Sequence, residues 1–250
     1  MQKIYDCVTF FQENLQVELR FNTLNDVVDQ FVICESKYDH RGLEKKINFN
    51  KADFPKFENK ITHLILEDQF PKKNISWENQ ALQREYIFQG LNEADKDDLI
   101  MFSDPDEIPN PEKLKNIKMK KKYAIFLHNM YTYKINIFNQ YESPWEGTRI
   151  CKKKNLKSID WLRQKILAKN SNYGFWRLDK ERDVELIQNG GWHFNYLLTP
   201  EQISKKLKSL AATQWDWGEN LTKDEFFSIK NIEAKINSQK DLFNRKHSYQ

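Results

Sequence analysis

The sequence has no long apolar run and only three cysteines, and each scarcity excludes a class of protein. No apolar stretch approaches the roughly 20 residues that a membrane-spanning helix needs. The opening residues, MQKIYDCVTFF, place Asp6 where a signal peptide would carry its apolar stretch. Cys7, Cys34 and Cys151 are widely spaced and free of any CxxC pair, so they encode neither a disulfide framework nor a zinc site. We therefore expect a chain without a transmembrane segment in a reducing, cytoplasmic setting.

A large charge of either sign is also absent. The 250 residues carry 40 basic and 36 acidic side chains, a formal net charge of +4. Lysines cluster within 120–122, 152–154 and 205–208, and such clusters can attract phosphates, a membrane surface or nucleic acid. Acidic residues are interspersed nearly everywhere else, so solvated faces are the simpler explanation. We expect no nucleic-acid partner, whereas a peripheral membrane contact stays compatible with the sequence.

Internal repeats, low-complexity tracts and linkers are missing as well, which favours a single domain over residues 1–250. With 39% hydrophobic residues, the chain can bury a sizeable core. Three short apolar runs with polar flanks are typical of strands covered on both faces: 31–36, 62–68 and 99–104. The apolar residues of 76–94 recur at helical spacing, and Ser76 at the start of this segment is a candidate N-cap. This strand, helix, strand order predicts an α/β fold with a mixed, mostly parallel sheet flanked by helices.

The remaining patterns predict further helices and strands. Residues 13–29 fit either an alternating strand or a helix, and we favour the helix. A strand over 185–198 contains paired glycines, which allow a bulge or a close backbone approach. The other predicted elements are a short helix after Asn110 and Pro111, a long bent strand or hairpin over 122–139, a helix over 158–170, and helices behind capping boxes that begin at Thr199 and Thr222.

The segment LIMFSDPDEIPNP, residues 99–111, ends the third predicted strand in three acids. In open α/β sheets, ligands bind at the carboxyl ends of the strands, where Asp104, Asp106 and Glu107 would lie. Pro105 biases Asp104 towards an extended conformation, in which residues two apart project to the same side. Two such carboxylates repel each other unless a cation intervenes, and hard oxygen ligands select Mg²⁺ or Mn²⁺. The pattern predicts a divalent cation that bridges a substrate diphosphate, and a solvated turn whose acids complement helix N-termini is the structural alternative.

Five blocks of the sequence together resemble glycosyltransferase family 17, which is typified by β-1,4-mannosyl-glycoprotein β-1,4-N-acetylglucosaminyltransferases. They are KIYDCVTFF, LNDVVDQFVICESKYDHRG, QREYIFQGL, SDPDEIP and NGGWHFNYL, in the family's order. The resemblance implies a GT-A-like, Rossmann-like fold, with a nucleotide-sugar part over about 1–110 and an acceptor-side part over about 111–250. It also implies a UDP-sugar donor, UDP-GlcNAc in typical members, and inversion at the anomeric carbon. The sequence is shorter than the animal members and lacks their membrane anchor and stem, so we expect a glycan or glycolipid acceptor rather than a glycoprotein.

The resemblance also implies roles for individual residues. Asp104 and Asp106 match the metal and diphosphate site, with His193 as a further metal ligand. Glu107 and Asp106 are the implied catalytic carboxylates. Contacts to the nucleotide sugar are implied for Glu35, Ser36, Arg84, Asp104 and Trp192. Structural alternatives stay open for these residues: a strand-end cap for Glu35, a surface ion pair for Arg84, core packing for His193 and Trp192, and for Trp145 either packing or stacking on a sugar.

A single displacement needs a carboxylate base that takes the proton from the acceptor hydroxyl. In an ideal strand Glu107 points away from the two aspartates, so it reaches the acceptor only if the backbone turns there. Reserve candidates for the base are Asp183, Glu185 and Glu219. Two other functions stay open: a glycoside hydrolase with two carboxylates and no nucleotide, and a non-catalytic module for carbohydrate or nucleic acid.

Overall fold

The computed structural model describes residues 2–72, 75–174, 176–209, 223–243 and 245–250. Within these ranges, one eight-stranded sheet has the order β3-β2-β1-β4-β7-β6-β8-β5. The strands are β1 (Ile4–Phe10), β2 (Gln30–Ser36), β3 (Ile61–Leu66), β4 (Leu99–Ser103), β5 (Glu107–Pro109), β6 (Tyr123–Thr132), β7 (Trp145–Lys152) and β8 (Val184–Asn195).

Neighbouring strands from β3 to β4 are parallel, and so are β6 and β8. Antiparallel β7 joins β4 to β6, and antiparallel β5 closes the far edge beside β8. The carboxyl ends of β1, β2, β4, β6 and β8 therefore share one edge of the sheet. The predicted α/β class with a mixed, mostly parallel sheet is confirmed, and the parallel half agrees with the GT-A-like fold that the resemblance implies.

Helices cover the sheet on both sides. They are α1 (Asn14–Leu24), α2 (Ser76–Tyr86), α3 (Pro111–Leu114), α4 (Ile159–Lys165), α5 (Pro200–Ser209), α6 (Lys223–Phe226) and α7 (Ile229–Asn237). None of the helices described is long and apolar enough to cross a membrane.

Strands β1, β2 and β4 bury both of their faces, whereas the edge strand β3 is partly exposed. In β1, Val8 belongs to the apolar cluster under α1, whereas Cys7 belongs to the cluster on the opposite side, with Leu162 of α4. The ring centroids of Phe21 in α1 and Phe31 in β2 lie 4.6 Å apart. Burying one such side chain stabilises the fold by about 1.5–3 kcal/mol. The near-continuous apolar runs are therefore explained by helices on both faces.

A third apolar cluster lies beyond the end of the sheet, where α5, α6 and α7 pack together. Its fully buried members include Ile203 of α5, Phe226 and Ile232. Thr199 caps α5 in the predicted capping box: Thr199 donates its N–H to Gln202 Oε1 at 2.9 Å and accepts the Gln202 N–H at 3.3 Å. This packing fixes the direction of α5, which carries one side chain to the candidate site. The predicted box at Thr222 lies outside the described residues.

Several predicted elements differ in detail. The helix predicted over 76–94 starts after Ile75 rather than after a Ser76 cap, and it tightens to a 3-10 helix over Ile87–Leu91. A Cβ on Gly90 would lie 2.5 Å from Val32 Cγ1, so this turn needs glycine where it presses on the sheet. The helix predicted over 158–170 ends at Lys165.

The two ambiguous segments are settled by burial and register. Residues 13–29 contain helix α1 (Asn14–Leu24), which buries Val17, Phe21 and Leu24 while Leu15 stays 58% exposed. Residues 122–139 contain the single long strand β6, with a shift of register after Ile125. The glycine pair in β8 marks a close backbone approach: Gly191 has φ +148°, and a Cβ there would lie 2.2 Å from Ile108 O in β5.

Candidate active site

A cavity of about 260 Å³ opens at the carboxyl edge of the sheet. Three predicted site residues line it: Asp104, Asp106 and His193. The other polar side chains of its wall are Thr9, Glu13, Tyr38, Asp39, His40, Lys45, Gln80, Gln83, Asn195, Tyr196 and Lys206. The wall takes residues from both sides of position 110, so both predicted parts of the chain contribute to it. Its place matches the crevice in which ligands bind to open α/β sheets.

The acids after β4 sit on a reverse turn. Glu107 donates its N–H to Asp104 O at 3.0 Å, and Glu107 Oε2 accepts the Asp104 N–H at 3.2 Å. Pro105 takes the first central position of the turn, which suits its restricted φ. The expectation that the chain stays extended from Asp104 to Asp106 is therefore wrong, although both side chains reach the same cavity.

The charge of Asp104 is compensated by two arginines on the side away from the cavity. Its Oδ2 lies 2.6 Å from Arg163 Nη2, and its Oδ1 lies 3.3 Å from Arg84 Nη2. Burial raises the pKa of Asp104, but Arg163 and then Arg84 outweigh burial and leave the pKa at about 2. Arg84 is 5% exposed and also binds Asp160 at 2.9 Å, so it is a buried ion-pair residue rather than a surface one.

Asp106 is neutralised from the cavity side. Lys206 Nζ lies 3.3 Å from its Oδ2, and His193 Nε2 lies 3.6 Å from its Oδ1. Burial raises the pKa of Asp106, yet Lys206 and His193 outweigh burial and hold it well below its ordinary range. In return, burial lowers the pKa of His193 while Asp106 raises it, and the net shift is upward. Asp106 is therefore a fixed anion.

Glu107 is fully buried and does not line the cavity. Its Oε1 accepts the indole N–H of Trp145 at 2.6 Å and an N–H of Arg163 at 2.8 Å. The predicted role as general base does not follow from this geometry, because a substrate in the cavity does not reach the carboxylate. Trp145, left open between stacking and packing, uses its indole to hold the turn, and its ring lies 5.1 Å from that of His193.

A buried ion pair supports the acidic turn from the other side of the sheet. Arg20 of α1 donates to both carboxylate oxygens of Asp6 at 2.6 Å, and neither side chain is more than 1% exposed. The same guanidinium donates to Ser103 Oγ at 2.9 Å and to the carbonyl of Glu107. Residues of β1 and α1 thereby fix the direction in which the chain leaves β4.

The other predicted nucleotide-sugar residues lie near the cavity but do not line it. Both oxygens of Glu35 are engaged: they accept the N–H groups of Asn48 and Phe49 at 2.9 Å and the Lys45 ammonium at 2.5 Å. Ser36 Oγ accepts the N–H of Tyr38 at 3.0 Å. Trp192 is half-buried and packs against the cluster under α1. Glu35 therefore fastens the segment that follows β2.

Two reserve bases lie at the opposite edge of the sheet. Asp183 and Glu185 accept the N–H groups of Lys122 and Lys120 at the amino end of β8. Glu185 pairs with Ala124 of β6 and His193 pairs with Met130, six residues further on, which at the rise of a strand is roughly 20 Å. These acids therefore do not reach the cavity. Glu219 lies outside the described residues.

Three cationic residues at or behind the site, Arg20, Arg163 and Lys206, were missed from the sequence. Arg20 had a local signal, because it falls on the apolar face of α1 beside Val17 and Phe21. Neither Arg163 nor Lys206 had a local signal, since both come from helices that lie far from the acidic turn in the sequence.

The donor chemistry fits a divalent cation only with help from a substrate. In the described part of the chain, no group of three or more His, Cys, Asp or Glu side chains could hold a metal alone. Asp104 and Asp106 offer hard carboxylate oxygens at the cavity wall, and His193 Nε2 lies beside them. Mg²⁺ and Mn²⁺ sites of this kind take one or two carboxylates and complete their shell with phosphate oxygens and water. The residues fit that arrangement.

Sequence comparisons confirm the resemblance. The model of glycosyltransferase family 17 matches residues 1–249. The β-1,4-mannosyl-glycoprotein 4-β-N-acetylglucosaminyltransferases of Rattus norvegicus and Homo sapiens are each 23% identical over 254 aligned residues. Each alignment covers 92% of this chain, and 47% and 48% of the relatives. The chain thus spans about half the length of these curated relatives.

Among solved structures, HddC from Yersinia pseudotuberculosis has a TM-score of 0.42 and 8% identity, covering 76% of this chain and 92% of that one. S. aureus TarS 1–349 has a TM-score of 0.38 and 11% identity, covering 95% and 71%. Glucosyl-3-phosphoglycerate synthase from Mycobacterium tuberculosis, in complex with Mn²⁺, UDP and glucosyl-3-phosphoglycerate, has a TM-score of 0.40 and 12% identity, covering 89% and 84%. At these TM-scores the likenesses carry no argument about function.

Proposed function

The chain belongs to glycosyltransferase family 17, and from this premise we propose that it transfers N-acetylglucosamine from UDP-GlcNAc to a hydroxyl of a glycan or glycolipid, with a divalent metal. The names of the curated relatives support the sugar. The observation that carries the proposal is the pair Asp104 and Asp106, both ionised and both facing one cavity at the carboxyl edge of the sheet.

The charges around the cavity support a donor with a diphosphate. Asp104 and Asp106 would hold Mn²⁺ or Mg²⁺, with His193 beside them, and the bound ion would neutralise charge on the departing diphosphate. The low pKa of Asp106 makes its carboxylate a weak base, so it suits a cation better than a proton from the acceptor. Glu107 acts as a positioning residue, because it holds Arg163 against Asp104.

The same charges count against a glycoside hydrolase. Such an enzyme needs a general acid whose pKa is raised so that it stays protonated near neutral pH. The pKa of Asp104 and the pKa of Asp106 are instead lowered by neighbouring cations. Neither aspartate therefore suits the role of general acid.

Thermal unfolding with nucleotide sugars tests the proposal. UDP-GlcNAc with Mn²⁺ should raise the melting temperature more than either alone, because the metal held by Asp104 and Asp106 would also bind the diphosphate. A ligand at 100 times its Kd adds about 2.7 kcal/mol of stability. Asp106→Asn should keep the fold and lose both this stabilisation and sugar transfer. Asp97→Asn is the matched control, since Asp97 pairs with Lys152 and Lys154 away from the cavity. Equal stabilisation of Asp106→Asn and the wild type, or none by any uridine nucleotide, would overturn the proposal.

A further inference from the structure

The cavity must admit an anion although it contains two ionised aspartates. The negative charge of Asp104 is compensated by Arg84 and Arg163, neither of which lines the cavity. The charge of Asp106 is compensated by a side chain that does line it, Lys206, and His193 Nε2 lies 3.6 Å from the same carboxylate. A donor diphosphate in the cavity can therefore contact the ammonium that pairs with Asp106. The two arginines that pair with Asp104 lie behind that carboxylate, outside the cavity wall.

Lys206 stands out among the cavity cations. Lys45 Nζ is held 2.5 Å from the buried carboxylate of Glu35, which fixes it beside β2. His40 is hydrogen-bonded to Gln83, and burial lowers its pKa, so it adds no charge at neutral pH. Along the described wall, Lys206 is thus the ammonium adjacent to the predicted metal position.

Helix α5 delivers Lys206 to a junction of three elements. Its ammonium lies 3.3 Å from Asp106 in the acidic turn and 3.8 Å from Glu13 in the loop after β1. Glu13 in turn accepts the N–H groups of Phe11 and Gln12 at 3.0 and 2.9 Å. The neighbouring residues Ile203 and Leu207 anchor α5 in the third apolar cluster. The helix is thus held in place while the four-carbon stem of the lysine keeps its head group adjustable.

We infer that Lys206 is a ligand of the donor diphosphate and that, before donor and metal arrive, its ammonium occupies the place of the metal at Asp106. This inference rests on the function proposed above. A compact ammonium on a flexible stem can release Asp106 for a phosphate oxygen of the donor, which would leave the Asp106 carboxylate to hold the metal. Lys206 therefore weakens the binding of free metal but strengthens the binding of the diphosphate.

The two roles predict effects of opposite sign for one variant. Lys206→Met should bind UDP in EDTA about ten- to a hundredfold more weakly, since a hydrogen bond to a charged group is lost, while uridine binds unchanged. The same variant, without nucleotide, should bind Mn²⁺ more tightly than the wild type, because the competing ammonium is gone. A purely structural role would weaken both ligands together. Calorimetric titration measures all three affinities.

Control variants separate the inference from loss of fold and from the proposed function. Lys208→Met removes an exposed charge from the same helix and should change none of the three affinities. If Lys206→Met fails to fold, Lys206→Arg serves as the second variant: it keeps the charge and should keep most of the UDP affinity. Loss of UDP binding by a folded Lys206→Arg would overturn the inference. Equal UDP affinity of wild type and Lys206→Met would also overturn it, and a wild type that binds no UDP would instead sink the proposed function.

Discussion

Replacing Arg163 by methionine removes the positive charge beside a carboxylate that has no access to water. Glu107 is fully buried, and its Oε1 lies 2.8 Å from Arg163 Nη2. Removing one partner of such a pair costs about 3–5 kcal/mol, because the other charge stays buried and uncompensated. The second contact of Arg163, to Asp104, adds less than about 1 kcal/mol, since Asp104 is a quarter exposed and keeps Arg84.

The expected result is a large fall in stability. For a chain of this size, each kcal/mol shifts the melting temperature by about 2–4 °C, so Arg163→Met should melt roughly 6–20 °C below the wild type. Urea denaturation gives the free energy of unfolding independently. Adding Glu107→Gln should recover part of the loss, because the amide oxygen can still accept the Trp145 N–H without a charge to compensate. The control is Arg177→Met, an exposed pair with Asp179, which should leave the unfolding midpoint unchanged.

Two results would refute this account of Glu107. A loss below about 1 kcal/mol in Arg163→Met would mean that no uncompensated buried charge was left behind. A fall of about 10²–10⁴ in the transfer rate of Glu107→Gln, at unchanged stability, would make Glu107 the general base after all.

Three further predictions concern packing, pH and thiols. Gly147→Ala should cost about 1–3 kcal/mol in urea denaturation, because the new Cβ would lie 2.3 Å from Nδ1 of the fully buried His128. Asp104 has a folded pKa of about 2, below its unfolded value of about 3.9, so it contributes stability above about pH 4 that is lost as the pH falls towards 2. Unfolding curves from pH 5 to 2 should therefore fall less steeply for Asp104→Asn, and equal slopes would contradict this. All three cysteines are buried and burial raises the pKa of Cys34 and Cys151 to about 12, so the native protein should show no thiol that reacts with a disulfide reagent at pH 8 until it is unfolded.

Strands β2, β3 and β4 were predicted from short apolar runs, and β6 and β8 from longer runs that polar residues interrupt. Strand β1 was missed although it is buried at every position, because Asp6 interrupts its apolar run. Strand β7, WEGTRICK, was missed because its inner residues include Arg149, which is 3% exposed and satisfied by backbone carbonyls. Strand β5 was missed because three residues after a turn carry no periodicity, and it exists only by pairing with β8. Hydrophobic pattern identifies strands with apolar runs more readily than strands that bury a charged side chain or are fixed only by their neighbours.

The sequence by itself determined the α/β class, the family and the place of the three acids at the end of β4, because apolar periodicity, prolines and short motifs are local properties of the chain. The tertiary structure alone decided which charges meet: Arg84, Arg163 and Lys206 come from three helices and converge on two aspartates. It also showed that Glu107, a candidate catalytic carboxylate, and Glu35, a candidate contact to the nucleotide sugar, are buried and support the chain around them. The physical reason is that strand order and helix packing set the distances between residues a hundred positions apart, and the role of a charge depends on the charges and the water it faces.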